Sequence, residues 1–246
     1  MIRIGNSRRS GSNTDRCGGP GRAMTPTEAA ILIMAKAPHA GSVKTRLQPL
    51  LGPQGCARLQ AALIRRTVRL AQLVAPARTY LALDPLTAKA ELIGLIPTSI
   101  AVLAQSGPDL GSRMSAAAAD VFRRHHGPLL LIGTDAPTLT APCLKQAGEL
   151  LVAGQDAVFG AAVDGGYYLV GMARPMPELF TIDPALWGGS EVLLASLAAA
   201  RETGLRVGLL PALRDLDTPQ DAADFLTEGA LPEEIAALLR GTARVL

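Results

Sequence analysis

An α/β fold with a largely parallel sheet is the class this sequence predicts, and three observations carry that prediction. From residue 29 onward, short apolar runs alternate with segments of helical length. Hydrophobic residues make up 48% of the chain but aromatics only 3%, with Ala and Leu dominant, which suits helix-rich α/β packing. At 246 residues the chain is long enough to bury a substantial core.

The elements follow from apolar runs, helical periodicity and turn residues. Strands are expected at 31–35, 79–83, 100–104, 129–132, 157–161, 168–171 and 207–210. Helices are expected at 54–75, 111–125, 142–153, 190–204, 219–227 and 232–240. Strands separated by helices of 10–20 residues imply β-α-β crossovers and hence parallel pairing. No repeat of fixed period occurs, and no linker interrupts the chain after residue 28, so one domain spanning 24–246 is expected.

Residues 1–23 read differently. They are rich in Gly, Ser, Arg and Asn, with few apolar side chains, and are expected to form a disordered basic arm. Five arginines face one aspartate there, a balance of +4, which leaves −1 for the remainder of a chain whose total is +3. The high isoelectric point therefore belongs to the arm, and no nucleic-acid partner is expected. The arm lacks the apolar centre of a secretory signal. Cys17, Cys56 and Cys143 are isolated, which indicates neither a zinc site nor a disulfide framework. No run reaches the length of a membrane span. A cytoplasmic protein is expected.

Ligands of open α/β sheets bind outside the carboxyl ends of the strands. Several motifs fall at such ends. After the first strand, Lys36 is followed by a Pro38/Gly41 loop that presents Lys44 and Arg46, a grouping of cations suited to adjacent phosphates. Neither a P-loop nor a dinucleotide loop is present there. An ordinary basic surface loop is the competing reading.

Asp135 follows the apolar run 129–132 and is placed to hold a Mg²⁺ that bridges phosphates, or else to cap the next turn. After the third strand, Gln105 suits a nucleobase edge. Gly111, Ser112 and Arg113 open a helix whose free N–H groups suit an anion, unless Ser112 is a plain cap.

Asp164-Gly165-Gly166 reads as a hairpin turn, or as a surface where a ligand approaches backbone while Asp164 accepts from its hydroxyls. Tyr167 adds a flat surface suited to sugars. Trp187, before Gly188-Gly189, floors an acceptor pocket or sits in the core. Thr218-Pro219 reads as a helix cap, but that leaves Asp215 and Asp217 unexplained. Asp217 is a candidate to complete a metal shell with Asp135.

The segments Met34–Pro38 and Val43–Leu47, Asp109–Met114, Ile132–Pro137, Asp164–Leu169 and Asp215–Asp221 occur together in one order. In that order they resemble the DUF2064 family of GT-A-type, nucleotide-diphospho-sugar-transferase-like proteins, across residues 29–227. A more distant similarity, through Lys44-Thr45-Arg46 and Asp217-Thr218-Pro219, is to 2-phospholactate and molybdopterin guanylyltransferases. The resemblance implies a GT-A-like three-layer fold with a mainly parallel mixed sheet, divided into a nucleotide half and an acceptor half. It implies Mg²⁺ or Mn²⁺ on Asp135, with Asp217 as partner.

The expected nucleotide-binding set is Ala35, Lys36, Lys44, Arg46, Gln105, Gly111 and Arg113. The acceptor set is Asp164, Gly165, Gly166, Tyr167 and Trp187, and the catalytic set is Asp164, Lys44 and Arg46. Thr134 departs from the two-aspartate pattern of GT-A glycosyltransferases, and a lone strand-end Asp is the nucleotidyltransferase manner. The expected activity is metal-dependent transfer from a nucleotide-activated sugar to a small-molecule acceptor. The alternatives are nucleotidyl transfer from an NTP with release of pyrophosphate, and nucleotide binding without turnover.

Overall fold

The computed structural model describes residues 28–241, and both the arm at 1–23 and the first residues of the expected domain, 24–27, lie outside them. Seven strands form one sheet: β1 (Ala30–Lys36), β2 (Thr79–Asp84), β3 (Ala101–Ala104), β4 (Leu129–Ile132), β5 (Ala157–Ala162), β6 (Tyr167–Met172) and β7 (Val207–Leu213). Their spatial order is β3-β2-β1-β4-β6-β5-β7. All pairings are parallel except those of β6, which runs antiparallel to β4 and β5.

The helices are α1 (Gln48–Val74), α2 (Leu110–Phe122), α3 (Ala141–Val152), α4 (Val192–Glu202), α5 (Pro219–Glu228) and α6 (Glu233–Leu239). The expected mainly parallel mixed sheet is therefore observed. Helix α1 starts earlier than the periodicity predicts, because a short turn joins it across Gly52, whose φ of 65° breaks the helical path. Helix α4 starts two residues later than predicted.

The central strands are apolar throughout because both sheet faces are covered. In β1, Ile31, Ile33 and Ala35 join a core with Ile64, Val68 and Ala71 of α1 and Leu144 and Ala147 of α3. The alternate residues Ala30 and Leu32 join Met114, Ala118 and Val121 of α2 and Ala200 of α4 on the other face. A third cluster, of Leu47, Leu59, Leu63, Leu216, Phe225, Ile235 and Leu239, packs α5 and α6 against the start of α1.

Edge strand β7 contains Pro211, which a central strand would exclude because proline cannot donate to the ladder. Tyr168 Oη donates to the Pro211 carbonyl at 3.0 Å. Among the described residues, no helix is long and apolar enough to cross a membrane.

This topology places the chemistry. From β1 the chain crosses to β2 on one side, and it later returns to add β4 on the other, so β1 and β4 flank a topological switch point. Strands β1, β4, β5 and β7 all end at this rim. Antiparallel β6 begins there.

Candidate active site

A cleft of about 460 Å³ opens at that rim, within the usual range for small-molecule sites. The ends of β1 and β4, the β5–β6 turn, the segment after β7 and the Trp187–Gly189 segment all reach it.

Lys44 organises its floor. It is the one described residue other than glycine with a positive φ, at 47°, an uncommon conformation for a long side chain that tends to mark functional sites. Cys56 Sγ donates to its carbonyl at 3.3 Å. Its ammonium donates to Asp135 Oδ1 at 2.5 Å, to Asp217 Oδ1 at 2.9 Å and to the Leu216 carbonyl at 2.9 Å. An ordinary basic surface loop would leave this side chain facing solvent. Instead it is only 5% exposed, because the two carboxylates draw it inward.

Burial pulls the Lys44 pKa down, but the charges of Asp135 and Asp217 outweigh it and hold the ammonium above its ordinary value. Asp217 is half-buried, which disfavours its charge, yet Lys44 and then Arg46 hold its carboxyl below the usual range. Arg46 reaches the second oxygen of Asp217 at 2.9 Å while staying 67% exposed.

Asp135 and Asp217 thus come together from segments far apart in the chain. Neither is used as a helix cap. The cap at α5 is Thr218, which exchanges hydrogen bonds with Asp221. The Asp135 carbonyl accepts from Leu216 N at 2.8 Å, which ties the two acidic segments to each other. Thr134 Oγ1 lies 3.4 Å from Asp135 Oδ1 and 3.5 Å from Gln60 Nε2.

Asp215 also lines the cleft, and its Oδ1 is buried without a hydrogen-bond partner. Burial first, then the neighbouring carboxylates Asp135, Asp164 and Asp217, push its carboxyl up to about 7. An oxygen-only donor set with an orphaned carboxylate oxygen fits a hard divalent cation. No group of three His, Cys, Asp or Glu side chains forms a ready-made cage among the described residues. Two carboxylates completed by substrate phosphates are how Mg²⁺ is commonly held.

The other expected residues divide in two. Ala35, Lys36, Gln105, Asp164, Gly166, Tyr167 and Trp187 line the cleft. Gln105 donates both amide hydrogens to backbone carbonyls, of Ala35 at 3.0 Å and Ala82 at 2.9 Å. That geometry fixes the amide and leaves its oxygen as the group available to a ligand. Asp164 is exposed, with Oδ1 held by Gly166 N at 3.0 Å.

Gly111, Arg113 and Gly165 are not brought to the cleft wall. Asp109, not Ser112, caps α2 and accepts from Ser112 N at 2.8 Å and Ser112 Oγ at 2.7 Å, so a carboxylate stands where the sequence suggested an anion site. A Cβ on Gly111 would lie 2.4 Å from Trp187 Cζ2, so this glycine makes room for the indole. Arg113 donates to Asp84 at 2.8 Å and to the Gly107 carbonyl at 3.1 Å, bracing the loop after β3. Gly165, at φ +95°, lies against Ser190, whose oxygen a Cβ would approach to 2.0 Å.

Among the polar cleft residues absent from the expected sets are Asp215 and Gln60. Asp215 carried a signal, since the cap at Thr218 explains neither acid of Asp-Leu-Asp. Gln60 carried none. It lies on the buried face of α1, where a lone amide looks like any interior polar residue.

The family described as "Uncharacterized protein conserved in bacteria (DUF2064)" matches the middle of this chain. Residues 67–185 carry the DUF2064 signature. The resemblance read from the ordered motifs is thereby borne out. Gln105, Asp135 and Asp164 fall inside the DUF2064 segment, while Lys44, Arg46, Asp215, Asp217 and Trp187 flank it.

Among solved structures, the chain is similar to a protein of Desulfovibrio desulfuricans G20 provisionally assigned as a nucleotide-diphospho-sugar transferase. Identity is 29%, 89% of this chain and 100% of that one are covered, and the TM-score is 0.75. A cytidylyltransferase of Leptospira borgpetersenii shares the fold at 15% identity, with 87% of this chain and 93% of that one covered and a TM-score of 0.53. No curated protein matches the chain.

Proposed function

We propose that this enzyme is a divalent-metal-dependent transferase that takes a nucleotide-activated sugar as donor and a small hydroxylated molecule as acceptor. The observation that carries the reading is the convergence of Lys44, Asp135 and Asp217 at the mouth of the β1–β4 switch point. Asp135 and Asp217 would hold Mg²⁺ or Mn²⁺, which supplies charge neutralisation on diphosphate oxygens.

Lys44 and Arg46 would stabilise the departing diphosphate, where negative charge develops in the transition state. Ala35, Lys36 and the Gln105 oxygen form the nucleotide wall. Across the cleft, Asp164 would accept the acceptor's hydroxyl proton on the oxygen that Gly166 does not hold. Tyr167 and Trp187 provide the flat surfaces of the acceptor wall.

A second reading, nucleotidyl transfer from an NTP, is favoured by one observation. Thr134 stands beside Asp135 where a glycosyltransferase of this fold would add an acid, leaving a lone strand-end Asp. The same cations would then stabilise departing pyrophosphate. Product analysis with Mg²⁺ or Mn²⁺ separates the two. Nucleoside diphosphate released from a nucleotide sugar supports the first, and pyrophosphate released from an NTP supports the second. Nucleotide binding without either product would overturn both.

A further inference from the structure

The Lys44 ammonium lies between the two carboxylates to which the proposed function assigns the metal. It is buried, it makes three hydrogen bonds there, and its backbone is held in the left-handed region. Asp135 and Asp217 face Lys44 and Arg46, so the formal charges cancel. A divalent cation that arrives alone therefore finds the attraction of these two carboxylates offset by their own cations, and it meets an ammonium already bonded to both.

We propose that Lys44 is an internal counter-cation that competes with the divalent metal for Asp135 and Asp217. The site then takes metal readily only when a nucleotide brings phosphates to which the ammonium can transfer. Lys44 would serve two stations, the carboxylates in the free protein and the phosphates in the complex. Metal and nucleotide would load as one unit, and the empty enzyme would be shielded from scavenging free cations. This rests on the proposed function for the identity of the phosphate ligand, but the competition at the carboxylates stands apart from it.

The test is binding of Mn²⁺ alone, followed by electron paramagnetic resonance of the free ion, for the wild type, Lys44→Met and Lys36→Met. Lys36 lines the same cleft but bonds neither carboxylate, so its variant reports general loss of positive charge. Lys44→Met should bind Mn²⁺ at least tenfold more tightly than the wild type, and Lys36→Met less than threefold. Equal affinities in the wild type and Lys44→Met, or equal gains in the two variants, would overturn the competition.

A wild-type measurement covers the case in which Lys44→Met does not fold. Acylation of the Lys44 amine, followed by peptide mass spectrometry, should be slow in the free protein and should accelerate as Mn²⁺ alone is raised to saturation. Unchanged labelling would count against the proposal. Repeating the Mn²⁺ titration with CDP, GDP and UDP isolates the functional reading. If no nucleotide tightens Mn²⁺ binding while Lys44→Met does, the nucleotide reading falls and the competition remains.

Discussion

Gly111→Ala separates a packing role from a ligand role at one atom. Read from the sequence, Gly111 helps open an anion site at the start of α2. In the structure, an added Cβ meets Trp187 Cζ2 at 2.4 Å, Trp187 Cε2 at 2.6 Å and the Phe180 carbonyl at 2.7 Å. All three lie below the distance that real Cβ atoms show, and two belong to a rigid ring.

The backbone is no obstacle, because Gly111 is not among the residues with positive φ. The cost is therefore steric. Forcing extra volume into a packed site costs about 1–3 kcal/mol. Against this, Gly→Ala in a helix interior returns up to about 1 kcal/mol, and less in a first turn. Overpacking wins, and a net loss of about 1–2 kcal/mol should lower Tm by about 2–8 °C in a chain of this size.

Trp187 is the chain's one tryptophan, so its fluorescence reports the displaced ring directly. The expected result is a lower Tm together with a shifted emission maximum. Wild-type Tm and emission with weakened nucleotide binding would refute the packing argument and restore the anion-site reading.

Three further outcomes follow from the geometry. Asp135→Asn should weaken binding of a metal–nucleotide complex by at least about tenfold, with the circular dichroism spectrum unchanged, and EDTA should weaken wild-type binding to a similar degree, both read by titration calorimetry. Tyr168→Phe removes the 3.0 Å bond to the Pro211 carbonyl at edge strand β7 and should cost about 0.5–1.5 kcal/mol in urea unfolding; no loss would show that this bond does not secure the edge. Asp156 is held below 3.8 by the backbone N–H and then the side chain of Arg206, so its contribution is fully present above pH 3.8 and is lost as pH falls through the lowered value. Asp156→Asn should therefore flatten the acid limb of Tm against pH, and an unchanged limb would contradict the assignment.

The strands and most helices were legible in the sequence because their signals are local. Runs such as Leu129–Ile132 are apolar without alternation, and only a strand covered on both faces buries all four residues. Loops at the strand ends inherit their place from the topology, so Lys36, Gln105, Asp135 and Asp217 could be assigned to one rim from the sequence. The ordered motifs carried the family resemblance in the same way.

Tertiary structure alone decided which side chains meet. The Lys44 ammonium is bonded to groups 91 and 173 residues away, and no spacing rule turns a loop cation inward onto two carboxylates. Gly111 and Arg113 looked like ligands because the start of a helix is electropositive wherever it occurs. A capping Asp109, an indole packed on the glycine and the Asp84 carboxylate had already filled those positions. Gln60 is the converse case, an amide that no local pattern distinguishes and that reaches the cleft only because α1 lies across the ends of β1 and β4. Local periodicity determines which segments become strands and helices; the pairing of distant polar groups depends on burial and charge that exist only once the sheet has assembled.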